Sequence, residues 1–335
     1  MKKYKIFIGL AVALGTVTGC MKNSDMAHPD FDHQSVYFAY QYPVRTIVLG
    51  EDLNIDNTLD NEHKVEIKAT MGGTRDNKKN VLIDFNVDGS LLNNLHFGES
   101  GDKIELMPSN YYTLASNQIN IAKGSILGGV QVQFTDAFFA DPLAIKNTYA
   151  IPLKMTDVQN ADSILADKDF ILYAVKFVNP WHGYYLRRGE DLMTSGTTRT
   201  ITRRADYVES DEVNMLSTRS LSQLEFPVQF RDELGANFSC TLLLTFDNEG
   251  KCTITTNTNN FTATGTGSFV KKGEKKSWGN KDRDGLYLDY QISYNGVSVG
   301  TAPDIRTISG SISTKDTLVM RDRAVSYELF TPVSQ

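Results

Sequence analysis

Side chains able to do chemistry are plentiful in this 335-residue chain, yet few stand in the patterns that chemistry requires. Hydrolysis of a glycosidic bond needs two carboxyl groups at a set separation across the scissile bond. The chain has 40 Asp and Glu, and no pair among them is marked. Its five histidines, at 28, 33, 63, 96 and 182, show no metal-ligand spacing, and no nucleophile elbow accompanies them. Two strings open like a calcium loop, Asp84-Phe85-Asn86-Val87-Asp88-Gly89 and Asn280-Lys281-Asp282-Arg283-Asp284-Gly285. A calcium loop also places an acid at its twelfth position, where Leu95 and Gln291 stand here, and needs flanking helices. Alternation puts Asp84, Asn86 and Asp88 on the solvent face of a strand, and Lys281 and Arg283 offset the charge of the second string. The expectation is no catalytic residue, no metal and no cofactor.

Aromatic residues are the better candidates: 17 Phe, 15 Tyr and 2 Trp. A sugar ring presents C–H faces that pack on indole or phenol, while nearby polar groups take its hydroxyls. Trp278 lies in the polar segment Gly273–Asn280, where burial is not forced, and an aromatic on a loop is well placed to meet a ligand. The other reading is a Trp folded back as a plug over the end of the fold. Lys271, Lys272, Lys275, Lys276, Lys281 and Arg283 surround it against Glu274, Asp282 and Asp284, a surplus that favours an acidic or heavily hydroxylated ligand. Trp181, Tyr184 and Tyr185 cluster at a candidate domain seam, where packing is the plainer role. Tyr287 and Tyr290 fall on opposite faces of one strand, so at most one faces inward. The candidate ligand-binding residues are Trp278, Trp181, Tyr184 and Tyr287.

Composition narrows the classes. Hydrophobic residues make up 41% and charged residues 22%, enough for packed cores. Formal net charge is −6, and removal of a leader carrying Lys2, Lys3 and Lys5 leaves 31 basic against 40 acidic residues. Binding nucleic acid needs a clustered basic surplus, which neither half has.

Met1–Cys20 runs from a Lys-rich start through the apolar stretch Ile6–Val17 to Thr18-Gly19-Cys20. That order describes a secretory signal over residues 1–19, too short to span a bilayer. Val17-Thr18-Gly19-Cys20 resembles the bacterial lipobox, so Cys20 is the expected lipidation site, and 20–33 reads as a polar tether. Cys240 and Cys252 remain. Ser239–Phe246 and Lys251–Thr258 read as strands joined at Asp247-Asn248-Glu249-Gly250, which sets Cys252 opposite about Thr245, roughly five residues from Cys240. At ~3.4 Å per residue that exceeds the ~7 Å reach of a disulfide, so both thiols are expected free and buried.

The elements that must position these residues are strands. Val36–Tyr40, Arg45–Leu49, His63–Thr70, Asn80–Val87, Ser116–Ile121, Gly129–Phe134, Thr148–Met155 and Phe170–Val178 are short, β-branched or aromatic runs punctuated by turn residues. Ser90–Asn94 and Asp141–Lys146 read as helical turns capped by Ser90 and Asp141. Pro180 marks a seam. Beyond it the spacing predicts a meander that includes Leu286–Ser293, Thr307–Ile312, Thr317–Met320 and Ala324–Leu329, with Asn295-Gly296 as its clearest turn. The fold class is all-β: a β-sandwich over 34–178, then an antiparallel β-barrel over 179–335.

The lipobox, Gln34-Ser35-Val36-Tyr37-Phe38, Val44–Gly50, Tyr111–Leu114, Asp141-Pro142-Leu143, Tyr149–Leu153 and Trp181-His182-Gly183-Tyr184-Tyr185 together resemble the two-domain surface lipoproteins of the Bacteroidota, encoded beside outer-membrane glycan-import systems. The resemblance implies an Ig-like N-terminal domain, a lipocalin-like C-terminal domain, and display on the outer membrane through the lipid anchor. It implies capture of glycans or contact with other subunits of a surface complex, and it supplies no binding residues. An adhesin-like or structural subunit is the alternative. A hydrolase is the remoter one: the chitinase-like string nearest to hand, Asp284-Gly285-Leu286-Tyr287-Leu288-Asp289-Tyr290-Gln291, lacks that motif's middle Asp and final acid. The expected activity is non-enzymatic binding.

Overall fold

The structure, a computed structural model, describes residues 33–73 and 76–335. The expected signal, Cys20, His28 and the tether up to Asp32 lie outside the described residues. Among the described residues no helix is long and apolar enough to cross a membrane. The protein is all-β.

The first half supplies β1 (Ser35–Tyr37), β2 (Pro43–Val48), β3 (Lys64–Gly72), β4 (Val81–Val87), β5 (Leu95–Phe97) and β6 (Glu105–Leu106). Then come β7 (Tyr112–Leu114), β8 (Gln118–Ile121), β9 (Leu127–Phe134), β10 (Tyr149–Gln159), β11 (Ser163–Ile164) and β12 (Phe170–Val178). β3 pairs with β1 and β9, β10 with β4 and β12, and β2 runs parallel to β12. The core includes Phe38, Ile67, Ile83, Phe138 and Phe177.

β10 and β12 are near-continuous apolar runs because both of their faces are covered. Ile151, Leu153, Tyr173 and Val175 face the main core, while Ala150, Leu172 and Ala174 face a second cluster with Val44, Leu92, Ile104 and Phe330. The helical turns form as 3-10 segments. Pro142–Ile145 starts at Asp141, which accepts from the Leu143 amide at 2.8 Å, as expected. Gly89–Leu92 is capped by Asp88 instead of Ser90, its carboxylate accepting from the Ser90 amide at 3.0 Å.

The second half supplies β13 (Gly183–Ser195), β14 (Thr197–Arg203), β15 (Glu212–Ser220), β16 (Gln223–Arg231) and β17 (Asn237–Phe246). β18 (Lys251–Thr256), β19 (Phe261–Glu274), β20 (Arg283–Val299) and β21 (Arg306–Asp322) complete it. Each strand from β15 to β21 pairs antiparallel with the next, and β13 joins β15 to β21, closing an eight-strand ring. The far half of β13 gives the same edge to β14, so one edge serves two partners while the other pairs with β21. Closure removes the exposed edges that an open sheet would present.

Three expectations need correction. Thr307–Ile312 and Thr317–Met320 are one strand, β21. Asn295-Gly296 is a bulge within β20: Gly296 has φ +70° and the ladder slips between Tyr294 and Val297, while the chain reverses at 300–305. Ala324–Leu329 does not join the barrel, because the β13–β21 pairing leaves no edge for it. The chain instead crosses back, where β22 (Glu328–Leu329) pairs with β2 and β23 (Pro332–Ser334) with β5. The barrel thus stops at Asp322, short of the expected 335.

The seam between the halves is a set of buried polar bonds. Asn179 has no exposure and donates to the carbonyls of Ser220 and Gln223 at 2.9 and 3.0 Å. Arg323 donates to the carbonyls of Asn179, His182 and Glu51 at 2.6, 2.8 and 3.2 Å, tying one half to the other. A buried guanidinium persists there because carbonyl oxygens take its donors.

Candidate functional site

A broad concavity of about 890 Å³ lies on the outer face of the barrel, across β17 to β21. Its cause is the composition of β19. The inward positions of that strand opposite Ile292, Tyr290 and Leu288 are Ala263, Gly265 and Gly267. A Cβ on Gly267 would stand 2.5 Å from Leu288 Cδ2, and one on Gly265 would stand 2.4 Å from Tyr290 Cβ. With only a methyl group at Ala263 and no side chain at the two glycines to hold it off, the wall settles inward against its neighbours, and the outer surface becomes a trough.

Register places two rows of side chains in the trough. Thr245 stands opposite Thr253, Thr253 opposite Thr266, Thr266 opposite Asp289, and Asp289 opposite Lys315. All five are exposed. Two residues along, Lys251, Ser268, Tyr287 and Thr317 form the second row. Such in-register threonine pairs suit a pleated, half-solvated surface and present a ladder of hydroxyls.

Tyr287 is the aromatic of the outer rows. A Cβ on Gly285 would meet its hydroxyl at 2.8 Å and one on Gly273 would meet it at 3.0 Å, so the hydroxyl end of the ring occupies space left by two residues that have no side chain. Its hydroxyl donates to Glu274 Oε1 at 2.7 Å. Burial, then this bond to Glu274, pushes the Tyr287 hydroxyl up to about 12, so it stays a donor. The charges of the trough are matched: Lys315 lies 3.7 Å from Asp289, Lys251 lies 2.7 Å from Glu249, and Asp247 accepts from the amides of Glu249 and Lys251.

Of the four aromatic candidates, Tyr287 lines the trough and the other three do not. Trp181 stacks on Phe246 at 4.0 Å and 10° between planes, and its carbonyl accepts from Tyr185, so it closes one end of the core. Tyr184 is on the outer face with the Arg321 guanidinium 4.9 Å from its ring. Trp278 opens a short 3-10 turn with Arg283 4.3 Å over its ring, and Arg283 Nε donates to its carbonyl at 3.0 Å. One face of that indole is thereby covered, and the loop turns toward the first half, where Lys272 meets Glu51 at 3.1 Å. Lys275 pairs with Asp282, which reduces the expected cationic surplus.

In the calcium-like strings, Asp84 accepts from Gln118 at 2.6 Å, while Asp282 and Asp284 accept from the amides of Lys276 and Lys272. Cys240 and Cys252 are free and buried, with Cys252 opposite Phe246, one residue from its expected partner.

The barrel interior holds a polar layer that the sequence reading did not single out. Arg187 Nε donates to Asp316 Oδ2 at 2.9 Å, and Tyr290 donates to the same oxygen at 3.0 Å. Arg203 bridges Asp316 and Asp191, and Thr314 donates to Asp191 at 2.8 Å. The signal was present as charged residues at inward positions of otherwise apolar strands.

An all-β chain whose second half is a closed barrel with an outer trough defines a class by fold alone. Residues 180–324 match the model of a domain of unknown function, DUF5627, and residues 31–162 match a model described as an N-terminal domain. A crystal structure of a Bacteroides ovatus protein of unknown function is 45% identical, covers 91% of this chain and 100% of its own, and superposes with a TM-score of 0.82. The chain belongs to the same family as that protein. Less similar are an auxiliary nutrient binding protein from Bacteroides thetaiotaomicron (14% identity, 83% of this chain and 90% of that one, TM-score 0.41) and a putative carbohydrate binding protein from Bacteroides ovatus (12%, 89% and 99%, 0.31). No curated protein matches the chain.

Proposed function

We propose that this chain is a non-enzymatic surface protein that binds carbohydrate on the outer face of its barrel. On this reading the first half is an Ig-like sandwich, the second a lipocalin-like barrel, and lipid on Cys20 holds both at the outer membrane beside an import system. The observation that carries the binding role is the trough: the hydroxyl end of Tyr287 rests against Gly273 and Gly285, beside a ladder of threonine hydroxyls. A phenol fixed in that way loses little freedom when a sugar ring stacks on it, and the hydroxyls beside it exchange water for sugar hydroxyls at low cost. The barrel interior is filled by its own core, so the ligand binds outside.

A glycan array probed with the chain from Asn23 onward tests the reading. Stacking is worth about 0.5–1.5 kcal/mol beyond area burial, so Tyr287→Ala should weaken the selected glycan roughly two- to ten-fold. Retention of full binding by that variant, or an array with no hits, would remove the assignment.

A further inference from the structure

The trough crosses five strands. At ~4.8 Å between neighbours that is about 19 Å from β17 to β21, far longer than one sugar ring. Its side chains repeat once per strand, so the same kinds of polar contact recur along the direction perpendicular to the strands. Both lysines within it are paired, Lys315 with Asp289 and Lys251 with Glu249, and the Asp247 carboxylate is held by the amides of Glu249 and Lys251. An anionic ligand would have to compete with those carboxylates for the lysines, while an uncharged one leaves both pairs in place.

We infer that the trough takes a neutral, extended oligosaccharide laid across the strands, one ring on Tyr287 and its neighbours over the threonine ladder. This rests on the carbohydrate-binding reading above and narrows it to a ligand class. Each added unit gains contacts with the next strand without adding a new binding event, so affinity climbs with chain length until the trough is full. No counter-ions are released, so salt leaves the affinity unchanged.

The test is calorimetric titration of the chain from Asn23 onward with linear xylo-, cello-, manno- and malto-oligosaccharides, monomer to octamer. Oligogalacturonates serve as the charged comparison, at low and high salt. In at least one neutral series, affinity should rise ten-fold or more from dimer to hexamer, level off, and ignore salt. Thr266→Arg and Thr253→Arg, both at exposed positions, should each reduce hexamer binding ten-fold or more, and circular dichroism reports whether each variant has folded. Equal binding of monomer and hexamer, or unchanged hexamer binding in a folded variant, would overturn the extended ligand and leave the carbohydrate reading standing. Tighter, salt-sensitive binding of oligogalacturonate would overturn its neutrality. Failure of every sugar to bind would overturn both.

Discussion

Arg187 and Asp316 face each other inside the barrel with side-chain exposures of 1% and 0%, joined by a bond of 2.9 Å. The contact is not a surface ion pair of negligible worth, since neither partner can return to water while the ring is closed. Asp316 also accepts from Tyr290 and Arg203, so its loss removes an acceptor from three donors at once, of which Arg203 keeps Asp191. Asp316→Ala should cost about 3–5 kcal/mol in urea unfolding followed by tyrosine and tryptophan fluorescence. A loss below about 1 kcal/mol would mean that water reaches the layer.

His182 gives the chain an acid sensitivity. Burial, then Arg323 and Lys176, lower its imidazole from 6.5 to about 4, and Nδ1 accepts from the Thr218 amide at 3.0 Å. The unfolded state binds the proton more readily, so this contribution is complete above pH 6.5 and is lost as pH falls toward 4. The change is on the order of 3 kcal/mol. His182→Asn keeps an acceptor for Thr218 and should flatten that part of the stability–pH curve. The check is unfolding free energy at several pH values for both proteins.

Trp278→Ala should separate packing from binding. A guanidinium over an indole is worth about 0.5–2 kcal/mol, so the melting temperature should fall by a few degrees. Binding at the trough should not change, because Trp278 does not line it. A selective loss of glycan binding without loss of stability would return the site to that loop.

Cys240 and Cys252 should resist thiol reagents in the native protein and react fully, without reductant, once it is unfolded. Burial pushes the Cys252 thiol up to about 12, which leaves almost no thiolate to react at neutral pH. Titration with a chromogenic disulfide reagent before and after guanidinium reads both states.

Much of the fold was legible because strand alternation and turn chemistry are local. Each of the eight strands expected before Asn179 is present, within a few residues at its ends. What misled was equally local: Asn-Gly suits a hairpin turn, but the bulge in β20 is held by Ser309, whose hydroxyl accepts from Gly296 and donates to Asn295. That partner is 13 residues on, beyond what a dipeptide encodes. The trough depends on register among five strands between Thr245 and Thr317, and on glycines whose effect appears only once Leu288 and Tyr290 stand opposite them. Tyr287 was recognisable as a candidate by type, whereas the reason it qualifies, a bed of Gly273 and Gly285, is tertiary.

The return of β22 and β23 to the first sheet sets an order of events during synthesis. Glu328 bonds to Asn147 across 181 positions and to Lys176 across 152, and Phe330 enters a cluster with Val44 and Leu92. When the first half leaves the ribosome, the segment that completes its second cluster has not yet been made. The barrel segment must emerge before that gap can be filled. Until then Val44, Leu172 and Ala174 have an incomplete cover, the kind of transient apolar surface that chaperones hold and that aggregation exploits. The same delay keeps the first half from locking into its final packing until the last strands of the chain have been made.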